Sequence, residues 1–455
     1  MQNDQKNRLS CFKAYDVRGR VPDELNEDIA FKIGRAFVSF LKAREVVVGY
    51  DSRLSSLALK TALCQGLISC GAEVLDIGLC GTEEVYFATG ALHADGGIMV
   101  TASHNPSEYN GMKFVRSQSR PISSDTGLLE IQKMVHDNTA IKGDAPGFTR
   151  HTEIRNQYID HILSYIAPDL LKPLKAVVNA GNGSAGPVID LLEKRLPISL
   201  VKLQHEPDGT FPHGVPNPLL PANRKITARA VIEEKADIGI AWDGDFDRCF
   251  LFDEKGTFIE GYYLVGLLAS ELLRQKNEPQ KIIHDPRLVW NTREIVISEG
   301  GIPVMARTGH AFIKETMRAE DAIYGGEMSG HHYFRDFNYC DSGMIPWLLV
   351  WQLMSRKTME LSKMVAERIA LYPVSGEINR EVADPDAVMA RIESHFQGAA
   401  CEKDYTDGLS ITCETFRVNV RKSNTEPMLR LNVESRGDRK LMEQKTAELI
   451  ALIEE

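Results

Sequence analysis

The chain has 455 residues, of which 43% are hydrophobic and 25% are charged, a composition typical of a globular protein with several domains. Its formal net charge of -10 disfavours a nucleic-acid-binding surface. No apolar run approaches the length of a membrane span, and the first residues lack the apolar core of a signal peptide. We therefore expect a cytoplasmic protein with no nucleic-acid or membrane partner, and the sequence does not indicate an oligomeric state.

The eight cysteines are scattered, and none forms a C-x-x-C pair. The spacing therefore supports neither a zinc site nor a redox motif. In a reducing compartment we expect them to be mostly small buried apolar residues, and we assign them no chemistry.

The first 150 residues alternate between helical and strand patterns. Apolar spacing predicts a helix over residues 29–41 and another over residues 57–70, and each is followed by a short strand, at 46–48 and at 74–77. A further apolar run at 97–100 predicts a buried strand. This βαβ alternation favours a mostly parallel sheet with helices on its faces.

Residues 101–106, with the letters TASHNP, follow the last of these strands. Pro106 lacks an N–H and disfavours helix at Asn105, so the chain must turn there. Ser103 then lies at the carboxyl end of a strand, where open α/β sheets bind their ligands. Its hydroxyl either caps the turn or acts as a nucleophile that carries a group, and these six residues alone do not decide between the two.

A second unit begins with a helix over residues 158–165, and strands follow at 176–179 and 238–242. The glycine-rich stretch 181–186 resembles a phosphate loop but matches no full nucleotide fingerprint. A tight turn into the next helix is the favoured interpretation.

Residues 243–248, with the letters DGDFDR, lie between two apolar strands. Asp243, Asp245 and Asp247 alternate in this loop and can converge on one cation. Three carboxylates this close repel one another without a counter-ion, and ligand sets made only of oxygen suit a hard ion such as Mg²⁺. A solvated acidic turn is the alternative, but the position at a strand end favours a metal site.

A third unit starts near Phe258, with predicted strands at 281–284 and 303–306. It ends in residues 326–331, GEMSGH, whose carboxylate, hydroxyl and imidazole suit hydrogen bonding to sugar hydroxyls. Taken alone, an ordinary turn with incidental polar residues is equally compatible with this pattern. The strand–loop–helix theme recurs at roughly hundred-residue spacing, which is a weak internal repeat.

The last unit differs from the other three. Strands predicted at 416–420 and 428–433 flank a turn, and a terminal helix runs from Arg439 towards Ile453. The segment 421–430 combines guanidinium groups, hydroxyls and turn N–H groups, a combination that favours a phosphate site over a solvated basic hairpin. Such a smaller unit can serve as a lid over a shared cleft.

These four motifs, in this order, resemble those of the α-D-phosphohexomutase family, and particularly its bacterial phosphomannomutase branch. The resemblance implies an α/β protein of three related mixed-sheet α/β domains and a smaller C-terminal α+β domain around one central cleft. We place these domains at residues 1–150, 151–256, 257–370 and 371–455.

The resemblance also implies roles for individual residues. Ser103 is carried as a phosphoserine, and one of its oxygens joins Asp243, Asp245 and Asp247 in holding Mg²⁺. The expected catalytic residues are Ser103, Lys113, Arg248 and His310. The expected substrate-binding residues are Tyr15, Arg18, Glu327, Ser329, His331, Arg421, Ser423, Asn424, Thr425 and Arg430.

Lys113 is the best-placed candidate for proton transfer to or from the sugar hydroxyl, because burial near cations lowers the pKa of a lysine. Some relatives have lysine where this chain has Arg287, so a cation is kept while a possible proton shuttle is lost.

The implied reaction converts mannose 6-phosphate to mannose 1-phosphate and back, and its product supplies the synthesis of GDP-mannose. It passes through a hexose 1,6-bisphosphate that also serves as activator, so the partners are small sugar phosphates. Sibling mutases acting on glucose or glucosamine phosphates are the nearest alternative, since these sugars differ at one or two groups. A metal-dependent phosphatase with Asp243 as nucleophile and a non-catalytic sugar-phosphate-binding protein are the other two hypotheses.

Overall fold

The computed structural model describes residues 9–140, 143, 145–422 and 428–455. The chain forms two compact units. Unit 1 comprises Met1–Phe258 and His331–Lys357, and unit 2 comprises Ile259–Gly330 and Thr358–Glu455. Within the described residues, no helix is both long enough and apolar enough to cross a membrane.

The first sheet of unit 1 is mixed, as predicted, and its strands follow the order β1-β5-β4-β2-β3-β7, with β6 paired to β5. Strands β2, β3, β4 and β7 pair in parallel, whereas β5 pairs antiparallel with its neighbours. The elements of this part are β1 (Val17–Arg20), α1 (Glu27–Leu41), β2 (Glu45–Tyr50), α2 (Ser56–Ser69), β3 (Glu73–Leu79), α3 (Thr82–Ala91), β4 (Gly96–Val100), β5 (Tyr109–Arg116), β6 (Arg120–Pro121), α4 (Leu128–Asp137) and β7 (Thr149–His151).

Helices α1 and α2 pack closely against each other beside this sheet. A Cβ atom on Gly34 would lie 2.4 Å from the Leu63 carbonyl oxygen, so the contact requires glycine. Phe37 of α1 and Phe114 of β5 are both buried in the core, with ring centroids 6.0 Å apart. The predicted helix pair is therefore confirmed, and its buried face anchors the sheet that carries Ser103.

The second sheet of unit 1 has the order β11-β10-β8-β9, with β11 antiparallel and the other strands parallel. Its two central strands run through apolar residues that are fully buried, as expected for strands covered on both faces. Its elements are α5 (Arg155–Leu163), β8 (Leu174–Asn179), α6 (Gly186–Glu193), β9 (Ile198–Leu203), α7 (Pro221–Glu234), β10 (Ile238–Trp242) and β11 (Cys249–Phe252).

The next part of the chain contributes to both units. Strands β13, β12 and β14 form parallel pairs in unit 2, and β15 and β16 form an antiparallel pair in unit 1. The elements are α8 (Gly261–Arg274), β12 (Lys281–His284), α9 (Trp290–Ser298), β13 (Ile302–Met305), α10 (His310–Glu320), β14 (Tyr324–Gly326), β15 (His332–Phe334), β16 (Cys340–Asp341) and α11 (Ile345–Lys357).

A buried carboxylate explains why residues 331–357 belong to unit 1. Glu83, in the first turn of α3, accepts hydrogen bonds from the Ser342 hydroxyl and from the backbone N–H groups of Gly343 and Met344. These donors precede α11, so Glu83 caps a helix far along the chain. Burial is the main reason that the pKa of Glu83 is raised to about 8.

The C-terminal sheet of unit 2 is antiparallel and has the order β17-β21-β20-β19-β18. The two predicted strands and the terminal helix are present. The elements are α12 (Leu361–Leu371), β17 (Ile378–Glu381), α13 (Pro385–His395), β18 (Glu402–Asp404), β19 (Leu409–Thr412), β20 (Phe416–Lys422), β21 (Met428–Ser435) and α14 (Arg439–Glu454).

The expectation that none of the cysteines has a chemical role is wrong for two of them. Cys401 and Cys413 form a disulfide at the open end of the β18–β19 hairpin, one step beyond the facing pair Glu402 and Thr412. Sequence spacing did not reveal this bond, because the hairpin register alone brings the two thiols together. The free cysteines in the described residues are buried, apart from the half-buried Cys70.

Candidate active site

Ser103 occupies the predicted turn after β4. It is 3% exposed, and its backbone adopts the left-handed region, with φ of 48°. Its N–H donates to the Thr101 hydroxyl at 2.8 Å, and the Asn105 N–H donates to the Ala102 carbonyl at 2.9 Å. Hydrogen bonds within the turn therefore occupy its backbone N–H groups, and the Ser103 hydroxyl is directed to another part of the chain.

The Ser103 hydroxyl meets the aspartate loop that follows β10. Its Oγ donates to Asp243 Oδ2 at 2.8 Å, across 140 residues of sequence. Arg248 also donates to Asp243 Oδ2, with Nη2 at 2.6 Å, and the same nitrogen lies 3.4 Å from Ser103 Oγ. His104 Nδ1 lies 3.0 Å from Ser103 Oγ. A serine placed between a carboxylate and a guanidinium favours the nucleophile interpretation over the cap.

The three aspartates of the loop converge, as predicted. Asp243, Asp245 and Asp247 are 0%, 0% and 2% exposed, and one carboxylate oxygen from each lies within 4.8 Å of the other two. In each, Oδ1 is buried and has no hydrogen-bond partner among the residues that the structure describes. Three unsatisfied anionic oxygens around one point are costly without a cation, and an all-oxygen set fits a hard divalent ion.

The shape of this loop depends on two tight contacts. Phe246 is fully buried with φ of 44°, and its ring fills the space over Gly81, where a Cβ atom would lie 2.2 Å from the ring. The glycine-rich turn 181–186 supports the loop from another side, because the Ser184 N–H donates to the Gly244 carbonyl at 3.0 Å. The structure thus agrees with the tight-turn interpretation of that stretch.

Lys113 of β5 lies against the same carboxylates. Its Nζ donates to Asp245 Oδ2 at 2.7 Å and to Asp247 Oδ2 at 2.5 Å. Burial lowers the pKa of Lys113, but attraction to the two carboxylates outweighs burial and raises that pKa above its usual range. The expected lowering of the pKa is therefore wrong, because the neighbours of Lys113 that dominate are anions rather than cations.

The aspartates differ in their acidity. Burial tends to raise the pKa of Asp245, but Lys113 and the Thr82 hydroxyl hold it below its usual value. Burial and the charge of Asp245 raise the pKa of Asp247 to about 6. Sequence reasoning missed Thr82, which begins α3 and carries no recognisable motif of its own.

His331, predicted to bind substrate, lies beside Asp247 in unit 1. Its Nδ1 is 2.9 Å from Asp341 Oδ2 and 3.9 Å from Asp247 Oδ1. Burial lowers the pKa of His331, but the two carboxylates raise it overall. Asp341 was not predicted, and it is recognisable only from this contact.

The two N-terminal residues predicted at the site differ in what surrounds them. Arg18, in β1, donates to Asn105 Oδ1 at 2.6 Å and pairs with Asp16 at 2.9 Å, so it contacts the loop that carries Ser103. Tyr15 is half-buried just before β1.

The sugar-binding motif follows β14 in unit 2. Glu327 is 2% exposed, and its Oε1 accepts from the Gly309 N–H at 3.1 Å, directly before His310 begins α10. Arg287 Nη2 lies 3.6 Å from the same oxygen. Ser329 is half-buried two positions after Glu327. Unit 2 therefore brings Glu327, His310 and Arg287 into one neighbourhood.

A cluster of guanidinium groups surrounds Glu377 in unit 2. Arg421 and Arg430 face each other across β20 and β21, and with Arg287 they lie 3.0, 3.4 and 3.4 Å from the Glu377 carboxylate. The Nε atoms of Arg421 and Arg430 are buried without a hydrogen-bond partner in the described part of the chain. Such donors suit an anionic ligand. The predicted residues Ser423, Asn424 and Thr425 lie outside the described residues.

Four family models match the chain in order. Three describe the α/β/α domains I, II and III of phosphoglucomutase/phosphomannomutase, at residues 10–142, 156–256 and 260–372, and the fourth describes the C-terminal domain at residues 377–451. The chain belongs to the phosphoglucomutase/phosphomannomutase family. The predicted family and fold class are confirmed.

Several members of this family are similar over the whole chain. A phosphomannomutase of Salmonella montevideo is 59% identical over 98% of this chain and 99% of its own length. A protein named phosphohexose mutases, of Xanthomonas campestris pv. campestris, is 58% identical over 98% of this chain and 99% of its own. A crystal structure of a family member from Burkholderia thailandensis aligns with a TM-score of 0.87 and 32% identity over 98% of both chains.

Each domain of this phosphoglucomutase/phosphomannomutase family member contributes to one of the clusters described above. Ser103 and Lys113 lie in the stretch matched by domain I, and Asp243 to Arg248 in that matched by domain II. Residues matched by domain III are divided, because His331 packs in unit 1 whereas Glu327 packs in unit 2. Arg421 and Arg430 lie in the stretch matched by the C-terminal domain.

Proposed function

We propose that the protein is a phosphomannomutase that interconverts mannose 6-phosphate and mannose 1-phosphate through a phosphoserine at Ser103 and a hexose 1,6-bisphosphate. One observation carries this proposal: the Ser103 hydroxyl is hydrogen-bonded to Asp243 within a buried set of carboxylates that needs a cation. The names of relatives that are 59% and 57% identical, both phosphomannomutases, supply the sugar.

The metal in this proposal is Mg²⁺, held by Asp243, Asp245 and Asp247 together with an oxygen of the phosphorylated Ser103. When bound, it stabilises negative charge on the phosphoryl oxygens. Arg248 is placed to do the same from the protein side, because its Nη2 lies 3.4 Å from Ser103 Oγ. Phosphoryl transfer is catalysed mainly by charges that are already in place and stabilise the transition state.

In the first half-reaction the bond between Ser103 Oγ and phosphorus breaks, a bond forms between phosphorus and a hydroxyl oxygen of the hexose phosphate, and the proton of that hydroxyl replaces the phosphoryl group on Ser103 Oγ. In the second half-reaction the bond between phosphorus and the other sugar oxygen breaks, a bond forms between phosphorus and Ser103 Oγ, and the Ser103 proton passes to the departing sugar oxygen. Lys113, which donates hydrogen bonds to Asp245 and Asp247, is the candidate for carrying this proton in both directions. His310 is the further catalytic candidate.

Substrate recognition in this proposal falls to three sets of residues. Glu327, Ser329 and His331 bind sugar hydroxyls, whereas Tyr15 and Arg18 lie on the side of the phosphoserine. The residues proposed for the phosphate that does not react are Arg421, Ser423, Asn424, Thr425 and Arg430. The unpartnered Nε atoms of Arg421 and Arg430 support that role. A cytoplasmic location stays a prediction.

The experiment described below also distinguishes two alternative functions. A phosphoglucomutase or phosphoglucosamine mutase uses the same chemistry, and the relative named phosphohexose mutases keeps this alternative open. A metal-dependent phosphatase would use Asp243 as its nucleophile, but the hydrogen bonds from Ser103 and Arg248 to Asp243 Oδ2 disfavour it.

The experiment is a ³¹P NMR time course with Mg²⁺ and a trace of hexose 1,6-bisphosphate, with mannose, glucose and glucosamine 6-phosphates offered separately. We expect the 1-phosphate signal to grow fastest from the mannose compound. Fastest growth from another sugar would keep the mechanism and change the substrate. Inorganic phosphate as sole product would contradict the mutase.

Two serine variants sharpen this experiment. Ser103→Ala should reduce mutase turnover at least about 1000-fold, because no phosphoryl carrier is left. Ser107→Ala removes an exposed hydroxyl from the same loop and should retain wild-type turnover. Retained activity in Ser103→Ala would overturn the serine-centred mechanism.

A further inference from the structure

One buried arginine organises the loop that carries Ser103. Arg53, which follows β2, is 3% exposed, and its guanidinium donates to four backbone carbonyls of residues 103–109. Nη2 donates to Ser103 at 3.0 Å and to Asn105 at 2.6 Å, and Nη1 donates to Pro106 at 2.8 Å and to Tyr109 at 2.9 Å. One side chain thus satisfies four of the seven backbone carbonyls of residues 103–109.

Asp51 holds both the arginine and the base of the same loop. Its carboxylate lies 3.4 Å from Arg53 Nε and accepts from the Thr101 hydroxyl at 2.7 Å. The Thr101 hydroxyl in turn accepts from the Ser103 N–H at 2.8 Å. The Ser103 backbone is therefore held on both sides, its N–H through Thr101 and Asp51 and its carbonyl through Arg53.

The guanidinium also faces the second domain of unit 1. It lies 5.4 Å from the centroid of the Phe211 ring, and the Arg53 backbone forms an isolated parallel bridge with Gly209. Residues 209 and 211 lie in the connection between β9 and α7. Arg53 thereby links the serine loop to the domain that supplies the aspartate loop.

The chemistry of this contact requires arginine. A planar guanidinium presents its donors in a fixed fork, so four carbonyls can be met at once, whereas a lysine ammonium has three donors on a flexible stem. Ser103 also has a positive φ, a conformation that a non-glycine residue keeps only when its surroundings enforce it. The four carbonyl contacts supply that enforcement.

We propose that Arg53 is the positioning residue of the phosphoryl-carrying serine: through the carbonyls of residues 103–109 it fixes Ser103 Oγ against Asp243 and Arg248. This inference deepens the proposed function and rests on it for the role of Ser103. A displaced phosphoserine would meet the acceptor hydroxyl less often and water more often. Arg53 touches no reacting atom in this proposal.

The test uses Arg53→Lys and Arg53→Gln in the full chain, with Arg116→Gln as the matched control. Arg116 is a partly buried arginine at the opposite end of β5, where it donates to the Thr126 carbonyl at 2.8 Å. Thermal unfolding of every variant is measured first. Arg53→Lys keeps the charge and volume, so it provides a folded protein if Arg53→Gln is too unstable.

Hydrogen exchange followed by mass spectrometry tests the loop without reference to activity. We expect amide exchange in residues 101–110 to become at least about tenfold faster in Arg53→Lys, while the control variant exchanges like the wild type. Unchanged exchange in Arg53→Lys would overturn the claim that this arginine holds the loop.

A second measurement tests the consequence for catalysis, by ³¹P NMR with Mg²⁺, mannose 6-phosphate and increasing hexose 1,6-bisphosphate. We expect Arg53→Lys to need at least about tenfold more bisphosphate to sustain turnover, and to release more inorganic phosphate per turnover, than the wild type or Arg116→Gln. A variant that only loses folded protein would show lower activity with the same bisphosphate requirement, and that result would overturn the positioning role. Faster loop exchange combined with no mutase turnover in the wild type would contradict the proposed function and leave the loop contact established.

Discussion

The two units contain clusters of opposite charge. In unit 1, three buried aspartates share Lys113 and Arg248, and one oxygen of each aspartate has no hydrogen-bond partner among the described residues. In unit 2, three arginines share Glu377, and Arg421 and Arg430 each keep a buried Nε without a partner in the described chain. The first cluster has three carboxylates and two cations and suits a further cation. In the second, Arg287 is also paired with Asp285 at 2.8 Å, so the Nε–H groups of Arg421 and Arg430 are the donors that suit a phosphate.

In the proposed mechanism this contrast lets one chain handle both sides of a phosphoryl transfer. The carboxylate cluster would bind the metal that neutralises the moving group, and the guanidinium cluster would bind the phosphate that does not react. Both clusters contain buried polar atoms without a hydrogen-bond partner among the described residues, which a ligand would satisfy. The predictions below test what each cluster binds and how strongly.

The largest effect is expected from Asp245→Asn in unit 1. Removing one carboxylate charge from the set should weaken Mg²⁺ or Mn²⁺ binding by about 100-fold or more, because the remaining ligands cannot replace a lost anionic oxygen. Titration calorimetry with Mg²⁺ and electron paramagnetic resonance with Mn²⁺ measure this affinity. Asp253→Asn is the control, since buried Asp253 accepts from the Thr257 N–H at 2.8 Å in a turn that follows β11. Equal metal affinity in Asp245→Asn and the wild type would remove Asp245 from the metal site.

A smaller effect is expected from Arg421→Lys in unit 2. Lysine keeps the charge but loses the buried Nε–H and the fork geometry of the guanidinium. This loss should weaken phosphate binding by about 1.5–3 kcal/mol, or roughly 10- to 100-fold in affinity. Steady-state kinetics should show this as a higher KM for hexose 6-phosphate. Arg380→Lys is the control, because half-buried Arg380 in β17 pairs with Glu454 rather than Glu377, and it should leave KM unchanged. If KM is the same in Arg421→Lys and the wild type, the anion site does not include Arg421.

The smallest effect, and one of opposite sign, is expected from Glu377→Gln. Glu377 competes with a bound phosphate for the three guanidiniums, and a unit charge at about 4 Å contributes about 1 kcal/mol even at the dielectric constant of water, or roughly fivefold as a lower bound. Inorganic phosphate should therefore bind about fivefold more tightly to the variant at low salt, as measured by ³¹P NMR titration. The gain should shrink as ionic strength rises.

Glu381→Gln removes an exposed carboxylate from β17, the strand that begins directly after Glu377, and serves as the control for this experiment. Weaker phosphate binding in Glu377→Gln than in the wild type would show that Glu377 acts mainly by arranging the guanidiniums. In that case Glu377, the carboxylate within the arginine cluster of unit 2, would be part of the phosphate site.

The sequence alone determined the local features of the protein. Apolar periodicity located α1, β4, β10 and α14, because each depends on residues close together along the chain. The alternating aspartates predicted a cation site, and Pro106 predicted the turn at Ser103, for the same reason.

Only the tertiary structure decided which residues surround these motifs. The pKa of Lys113 was predicted in the wrong direction, because its neighbours Asp245 and Asp247 lie 132 and 134 residues away. The Cys401–Cys413 bond depended on a hairpin register, and Glu377 became visible only when strands β20 and β21 and the loop after β12 brought arginines around it.

Arg53 illustrates both what the sequence reveals about a residue and what only the folded chain reveals. Its type and position are plain in the sequence, yet its four carbonyl partners begin 50 residues further along. Local patterns fix backbone preferences, since these arise within a few bonds. Charge balance, hydrogen-bond partners and the direction of a pKa shift arise from groups that only the folded chain brings within a few ångströms.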